Sequence, residues 1–280
     1  MAGPDGRINP KVIDRSADLA LLLTGGPGAV PAEANSLRPG LRVPFRDNFP
    51  QVVVQRPPNS PMRITEHPDY TAAKAGDTRA AMRVVDDAID ERAMAKLQKL
   101  IGDRRPTVVP VHAEEASGRN ALPRVYAHEL AGTLGLPVDN EIMQANRAFR
   151  TGEGAAYRMQ NGAEFDGNVQ PGADHLLADD AVTMGGTLAD LHSHIAVGGG
   201  NVLGATTLMA GRFSHILAPT RTTLARLRDK LPQLEPWWKA TYGHGFEGLT
   251  DSEAKYLTGF GSTDAVRDRI AAAARPPNGR

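Results

Sequence analysis

Asp179 and Asp180 stand side by side within His175-Leu176-Leu177-Ala178-Asp179-Asp180-Ala181-Val182-Thr183-Met184-Gly185-Gly186-Thr187-Leu188. The order is a short apolar run, two carboxylates, a Gly/Thr turn and the start of a helix. A strand ending in carboxylates delivers them to a sheet edge, where they accept hydrogen bonds from ribose hydroxyls. The turn and the helix N-terminus offer backbone N–H groups and hydroxyls to a phosphate. Gly185 and Gly186 let the backbone approach that anion with no Cβ in the way. The chemistry these types and spacings suit is the holding of a sugar phosphate. An ordinary α/β turn, with the acids capping a helix, would use the same residues.

The segment resembles the 5-phosphoribosyl-1-pyrophosphate (PRPP) motif of type I phosphoribosyltransferases. Asp179-Asp180 matches the acid pair of that motif, and Thr183, Gly185, Gly186 and Thr187 match its phosphate turn. Met184 departs from the pattern, where Thr or Ser is usual, and removes one hydroxyl from the phosphate contacts.

A second strand–loop–helix unit precedes it. Thr107 to Val111 is a β-branched run, His112 to Asn120 a polar loop, and Pro123 to Leu134 an amphipathic helix closed by Gly135. Arg119 offers a forked cation to phosphate oxygens, with Ser117, Gly118 and Asn120 as further donors. By the resemblance, this loop holds pyrophosphate. Gly118-Arg119-Asn120 followed by Leu130-Ala131 and Leu134-Gly135-Leu136-Pro137 is similar, more loosely, to the ComF-like branch. Glu114-Glu115 either holds Mg²⁺ through water or is simply solvated.

Other chemistries find little here. No G-x-x-x-x-G-K-[ST] is present, and no G-x-G-x-x-G follows a strand. Gly198-Gly199-Gly200 ends a helix instead of opening one. His192 and His194 are two apart on a helix and face different ways, so no zinc site is expected. The chain has no cysteine and a formal net charge of +0, which excludes thiolate metal sites and gives no basic field for nucleic acid. Arg221, Arg226, Arg228 and Lys230 form only a modest basic cluster. No run of about 18 apolar residues exists to cross a membrane, and Ala17 to Thr24 is too short and interrupted for a signal peptide.

The elements that must position these residues follow from periodicity. The expected fold is α/β, a Rossmann-like type I phosphoribosyltransferase core with a central parallel sheet flanked by helices. Residues 1–70 read as a Pro/Gly-rich arm or acceptor-covering hood, 71–218 as the core and 219–280 as a helical extension. Met82, Val85, Ile89, Ala93, Leu97 and Leu100 predict one helix over 77–101. Arg147 to Gly172 is polar and glycine-rich, and reads as a long loop. Later segments predict a helix over 188–197, a strand over 201–209 and helices over 220–231 and 262–274. Thr250-Asp251-Ser252-Glu253 is a capping box. Trp237-Trp238 and Tyr242 to Phe246 suit either stacking on a base or filling a small core.

The resemblance implies transfer of phosphoribose from Mg²⁺-PRPP to a nitrogen acceptor with release of pyrophosphate, a pentosyltransferase reaction. It implies that Asp179 and Asp180 hold the ribose diol and the metal. It further implies that Thr183, Met184, Gly185, Gly186 and Thr187 surround the 5-phosphate. Arg119, Ser117 and Gly118 would meet the pyrophosphate, and the long loop would close over the site with Arg158 as its cation. Members acting on 6-oxopurines carry Asp where Thr183 stands, which argues against that acceptor class. Expected partners are PRPP and a small-molecule acceptor, with no membrane or nucleic acid, in a cytoplasmic homodimer. The alternative is a non-catalytic PRPP- or nucleotide-binding regulator, or a ComF-like accessory of DNA uptake.

Overall fold

The computed structural model describes residues 41–112, 120–146 and 154–273. Its centre is a four-stranded parallel sheet built from β1 (Val53–Arg56), β2 (Thr107–Pro110), β5 (Asp174–Val182) and β6 (Asn201–Ala210), in the order β1-β6-β5-β2. A short antiparallel pair, β3 (Met143–Gln144) and β4 (Phe165–Asp166), stands apart from it. The α/β class expected from the sequence is therefore found.

Alternation along β5 divides the core. Leu176 and Ala178 face a cluster formed with α2 (Thr78–Ala88), α3 (Glu91–Ile101) and α4 (Leu122–Leu134). Leu177 faces the other side, where Val109, Ala205 and Phe49 meet α6 (Gly186–Val197) through Leu188, Leu191 and Ile195. Period-two side-chain alternation makes one strand serve both layers. This leaves β5 as a near-continuous buried run that ends at the two carboxylates.

Two expectations need correction. The single helix over 77–101 is in fact α2 and α3, broken at Ile89-Asp90. Asp90 is extended, and its carboxylate accepts from the amides of Arg92 and Ala93, capping α3. An N-cap acid supplies what the first turn of a helix lacks, so the chain restarts there although the apolar spacing runs straight through. The Arg147–Gly172 loop is also not open where it is described. It carries α5 (Ala155–Gln160) and β4, and buries Ala156 and Met159 in the C-terminal core. That short i, i+3 stripe was masked by the surrounding glycines and polar residues.

The sheet also begins earlier than residue 71. β1 pairs in parallel with β6, Val53 with Thr206 and Arg56 with Met209. A hydrogen-bonded chain secures it. Gln55 donates to the Tyr126 hydroxyl at 2.8 Å, which lies 2.6 Å from Thr206 Oγ1, and the Thr206 hydroxyl donates to the Val53 carbonyl.

After β6 come α7 (Arg221–Lys230), α8 (Leu234–Tyr242), α9 (Asp251–Thr258) and α10 (Thr263–Ala273). Trp238, Tyr242 and Phe246 are fully buried among them and fill a core, while Trp237 is half-buried against it with the Arg267 guanidinium over its ring. The capping box is formed. Thr250 accepts from the Glu253 amide, and Glu253 accepts from the Thr250 amide. In the basic cluster, Arg228 is paired with Glu235 and Glu247, and Lys230 donates to the Thr258 carbonyl. No described helix is long and apolar enough to cross a membrane.

Candidate functional site

Asp179 and Asp180 lie at the C-terminal end of β5, the edge of a parallel sheet where α/β proteins assemble ligand sites. They are 8% and 7% exposed. The Asp180 amide donates to Asp179 Oδ1 at 2.8 Å. Lys74 Nζ donates to Asp180 Oδ2 at 3.0 Å, and Asn120 Nδ2 donates to the same oxygen at 3.2 Å. Lys74 ends α1 (Tyr70–Lys74), and Asn120 lies two residues before α4. Burial, followed by the neighbouring Asp180 charge, raises the Asp179 carboxyl well above the ordinary carboxylate range. Burial, and then the same Asp180 charge, also raises the Tyr70 phenol.

Lys74 is a site residue that its local sequence gives no reason to select. It sits 106 positions from its partner, and Thr71 to Lys74 carries no motif. Lys74→Met leaves Asp180 without its cation, and we expect a loss of about 1–2 kcal/mol of stability at pH 7. Urea unfolding at pH 7 checks this.

The turn that follows runs from the strand into α6. Thr183 is exposed, and its hydroxyl accepts from Arg158 Nη1 at 2.8 Å. Arg158 thus meets the glycine turn from the packed helix α5. Met184 faces the C-terminal core, and its carbonyl accepts from the Thr250 hydroxyl. Its thioether stands where a hydroxyl was expected, and the residue serves packing. Gly185 adopts φ 79° as the cap of α6, and a Cβ there would lie 2.6 Å from Leu217 Cδ2. Gly185→Ala combines a left-handed backbone with a clash against a buried side chain. We expect about 2 kcal/mol of destabilisation, read by thermal unfolding. Gly186 and Thr187 open α6, whose first amides point away from the helix. Arg119, Ser117 and Gly118 lie outside the described residues, as do Glu114 and Glu115.

Beneath this turn lies a buried ionic cluster that sequence reasoning missed. Arg42 Nε donates to Asp190 at 2.6 Å, Nη1 to Glu253 at 2.6 Å and Nη2 to the Gly186 carbonyl at 3.3 Å. Asp190 also accepts from the Ala163 amide. Burial opposes the Arg42 charge, but the two carboxylates more than offset it and hold the guanidinium firmly protonated. The cluster joins the start of α6 to α9 and to the segment before β4.

No family model matches the chain. It is similar to Protein TraN of Escherichia coli. The identity is 41% over 233 residues, which cover 83% of this chain and 51% of TraN. It is also 36% identical over 155 residues to an uncharacterized protein of Haemophilus influenzae, covering 55% of this chain and 34% of that one. The chain thus spans about half or less of the length of these relatives. Among solved structures, an adenine phosphoribosyltransferase overlaps 47% of this chain and 71% of its own at 17% identity, with a TM-score of 0.32. Adenine phosphoribosyltransferase from Saccharomyces cerevisiae gives 18% identity, 46% and 68% coverage and a TM-score of 0.30. UMP synthase from Leishmania donovani gives 13%, covering 65% and 35%, at 0.26. Overlap of that extent carries no argument about activity.

Proposed function

We propose that this protein binds Mg²⁺-PRPP and transfers its phosphoribosyl group to a nitrogen acceptor, releasing pyrophosphate. The observation that carries this reading is the buried Asp179-Asp180 pair at the C-terminal end of a parallel strand, followed directly by the Gly185-Gly186 turn into α6. Carboxylates in that position accept hydrogen bonds from the ribose hydroxyls and fix the sugar. The Thr183 hydroxyl and the amides opening α6 hold the 5-phosphate, remote binding energy that positions the reacting carbon. Lys74 and Arg158 supply positive charge close by for the departing pyrophosphate.

Mg²⁺ belongs to the substrate in this reading. Among the described residues, no group of three His, Cys, Asp or Glu side chains forms a cage. Two carboxylates, one of them (Asp180) already engaged by Lys74 and Asn120, suit a cation that arrives on phosphate and keeps several waters.

In the transfer, the acceptor nitrogen gives its lone pair to C1 of the sugar. The C1–O bond breaks with its electrons going to pyrophosphate, and a proton carried by the nitrogen passes to solvent. Calorimetric titration with PRPP, with and without Mg²⁺, tests the binding, and pyrophosphate release across a panel of heterocycles tests the transfer. Binding together with release supports the proposal. Binding with no release makes the protein a PRPP-responsive regulator, and absence of binding overturns the reading.

A further inference from the structure

A cavity of about 300 Å³ opens at the C-terminal ends of β1 and β6. Arg56, Arg63 and Arg212 line it together with Ser60, Ile64 and Met209, and no acidic residue is among its described lining. Arg56 Nη2 donates to the Asp87 and Ile89 carbonyls, while its Nε is buried with no partner among the described residues. Arg63 pairs with Glu66 at 3.3 Å, both largely exposed and free to re-pair. Arg212 is exposed at the cavity. The wall is therefore strongly cationic, with an apolar floor.

Phe213 follows Arg212 in the chain. It is 65% exposed and adopts φ 68°. A bulky aromatic residue held in the left-handed region, with its ring in solvent, is strained for no packing benefit, a combination that gathers at ligand sites. Its ring offers a face to a flat partner.

Strand register ties this cavity to the carboxylate pair. Arg56 is opposite Met209, and Met209 is opposite Ala181, the residue after Asp180. Three adjacent strands place Arg56 roughly 10 Å from Ala181 at about 4.8 Å per strand, the span of a sugar joined to one ring.

We propose that this cavity is the acceptor subsite and that the acceptor is a heterocyclic carboxylate. Its ring lies against Met209 and Ile64, and its carboxylate meets Arg212 and Arg56. Forked guanidinium–carboxylate pairing selects such an anion, and an uncharged nucleobase would leave the arginines uncompensated. The assignment rests on the phosphoribosyl-transfer reading. The chemistry is the transfer written above, with a ring nitrogen of this acceptor supplying the electron pair; an N–H nitrogen gives its proton to solvent, whereas a pyridine-type nitrogen has none to lose and becomes a pyridinium as pyrophosphate leaves.

The test uses nicotinate, quinolinate and orotate, with adenine and uracil as uncharged controls. Saturation-transfer NMR without PRPP reads binding to the cavity, and pyrophosphate release with Mg²⁺-PRPP reads transfer. The expected result is that a ring carboxylate binds and supports release while adenine and uracil do neither. Arg212→Gln should weaken the carboxylate about tenfold and leave the PRPP affinity measured by calorimetry unchanged. Binding of the uncharged bases alone, of none of the three carboxylates, or of a carboxylate indifferent to Arg212→Gln overturns the assignment. PRPP calorimetry then shows separately whether the transfer reading survives. A carboxylate that binds while PRPP does not would overturn the transfer reading and the acceptor role together.

Discussion

Replacing Asp179 and Asp180 together by asparagine should abolish PRPP binding, with affinity falling at least about a hundredfold, and leave the fold intact. Hydrogen bonds to a charged acceptor are each worth about 1.5–3 kcal/mol, and two such acceptors are lost. Calorimetry with PRPP reads the affinity, and circular dichroism confirms the fold. Unchanged binding would remove the sugar-holding role of the pair. Asp179→Asn alone has a second expected consequence. The folded-state carboxyl has its proton affinity raised by burial and then by Asp180. A raised folded pKa contributes stability that is present below the unfolded value and lost as pH rises through the folded one. At pH 7–8 the wild type therefore carries an electrostatic penalty that the asparagine variant lacks. The variant should be more stable there by about 1 kcal/mol, a rise of roughly 2–4 °C for a chain of this size. The difference should vanish below the ordinary carboxylate range. If the pair holds a sugar as proposed, its function and its stability oppose one another, as expected where two like charges are kept close for a ligand.

Arg42→Met should produce the largest loss of stability. Arg42, Asp190 and Glu253 have side chains no more than 6% exposed, and the guanidinium bridges both carboxylates at 2.6 Å. Removing it takes the guanidinium from two buried carboxylates, which costs about 3–5 kcal/mol and lowers the melting temperature by roughly 10 °C. Arg42→Lys keeps the charge but loses the fork that reaches both acids and the Gly186 carbonyl, so it should recover less than half of that loss. Differential scanning calorimetry of the two variants decides the matter. Equal, small losses would mean the cluster is solvated and does not act as the support of the Gly185-Gly186 turn.

Elements that depend on near neighbours were legible in the residues themselves. The apolar run 176–178 with its two acids, the Gly185-Gly186 turn into α6, the Gly135 cap and the Thr250–Glu253 box each draw on contacts a few residues long. Asp90 shows the limit even at that range. Its capping role splits a helix that apolar spacing alone joins, because a cap is an interaction of one side chain with two amides and leaves hydrophobic periodicity unchanged.

The sequence by itself determined the α/β class and the carboxylate–glycine motif, since strand alternation, helix period and turn chemistry are local. Only the tertiary structure decided what surrounds that motif. Lys74 meets Asp180 across 106 positions, and Arg42 reaches Asp190 across 148 and Glu253 across 211. Likewise, β1 finds the far edge of the sheet beside β6. Such pairings are selected by which faces can be buried together and which buried charges can be neutralised. That is a property of the packed whole, and no window of the sequence contains it.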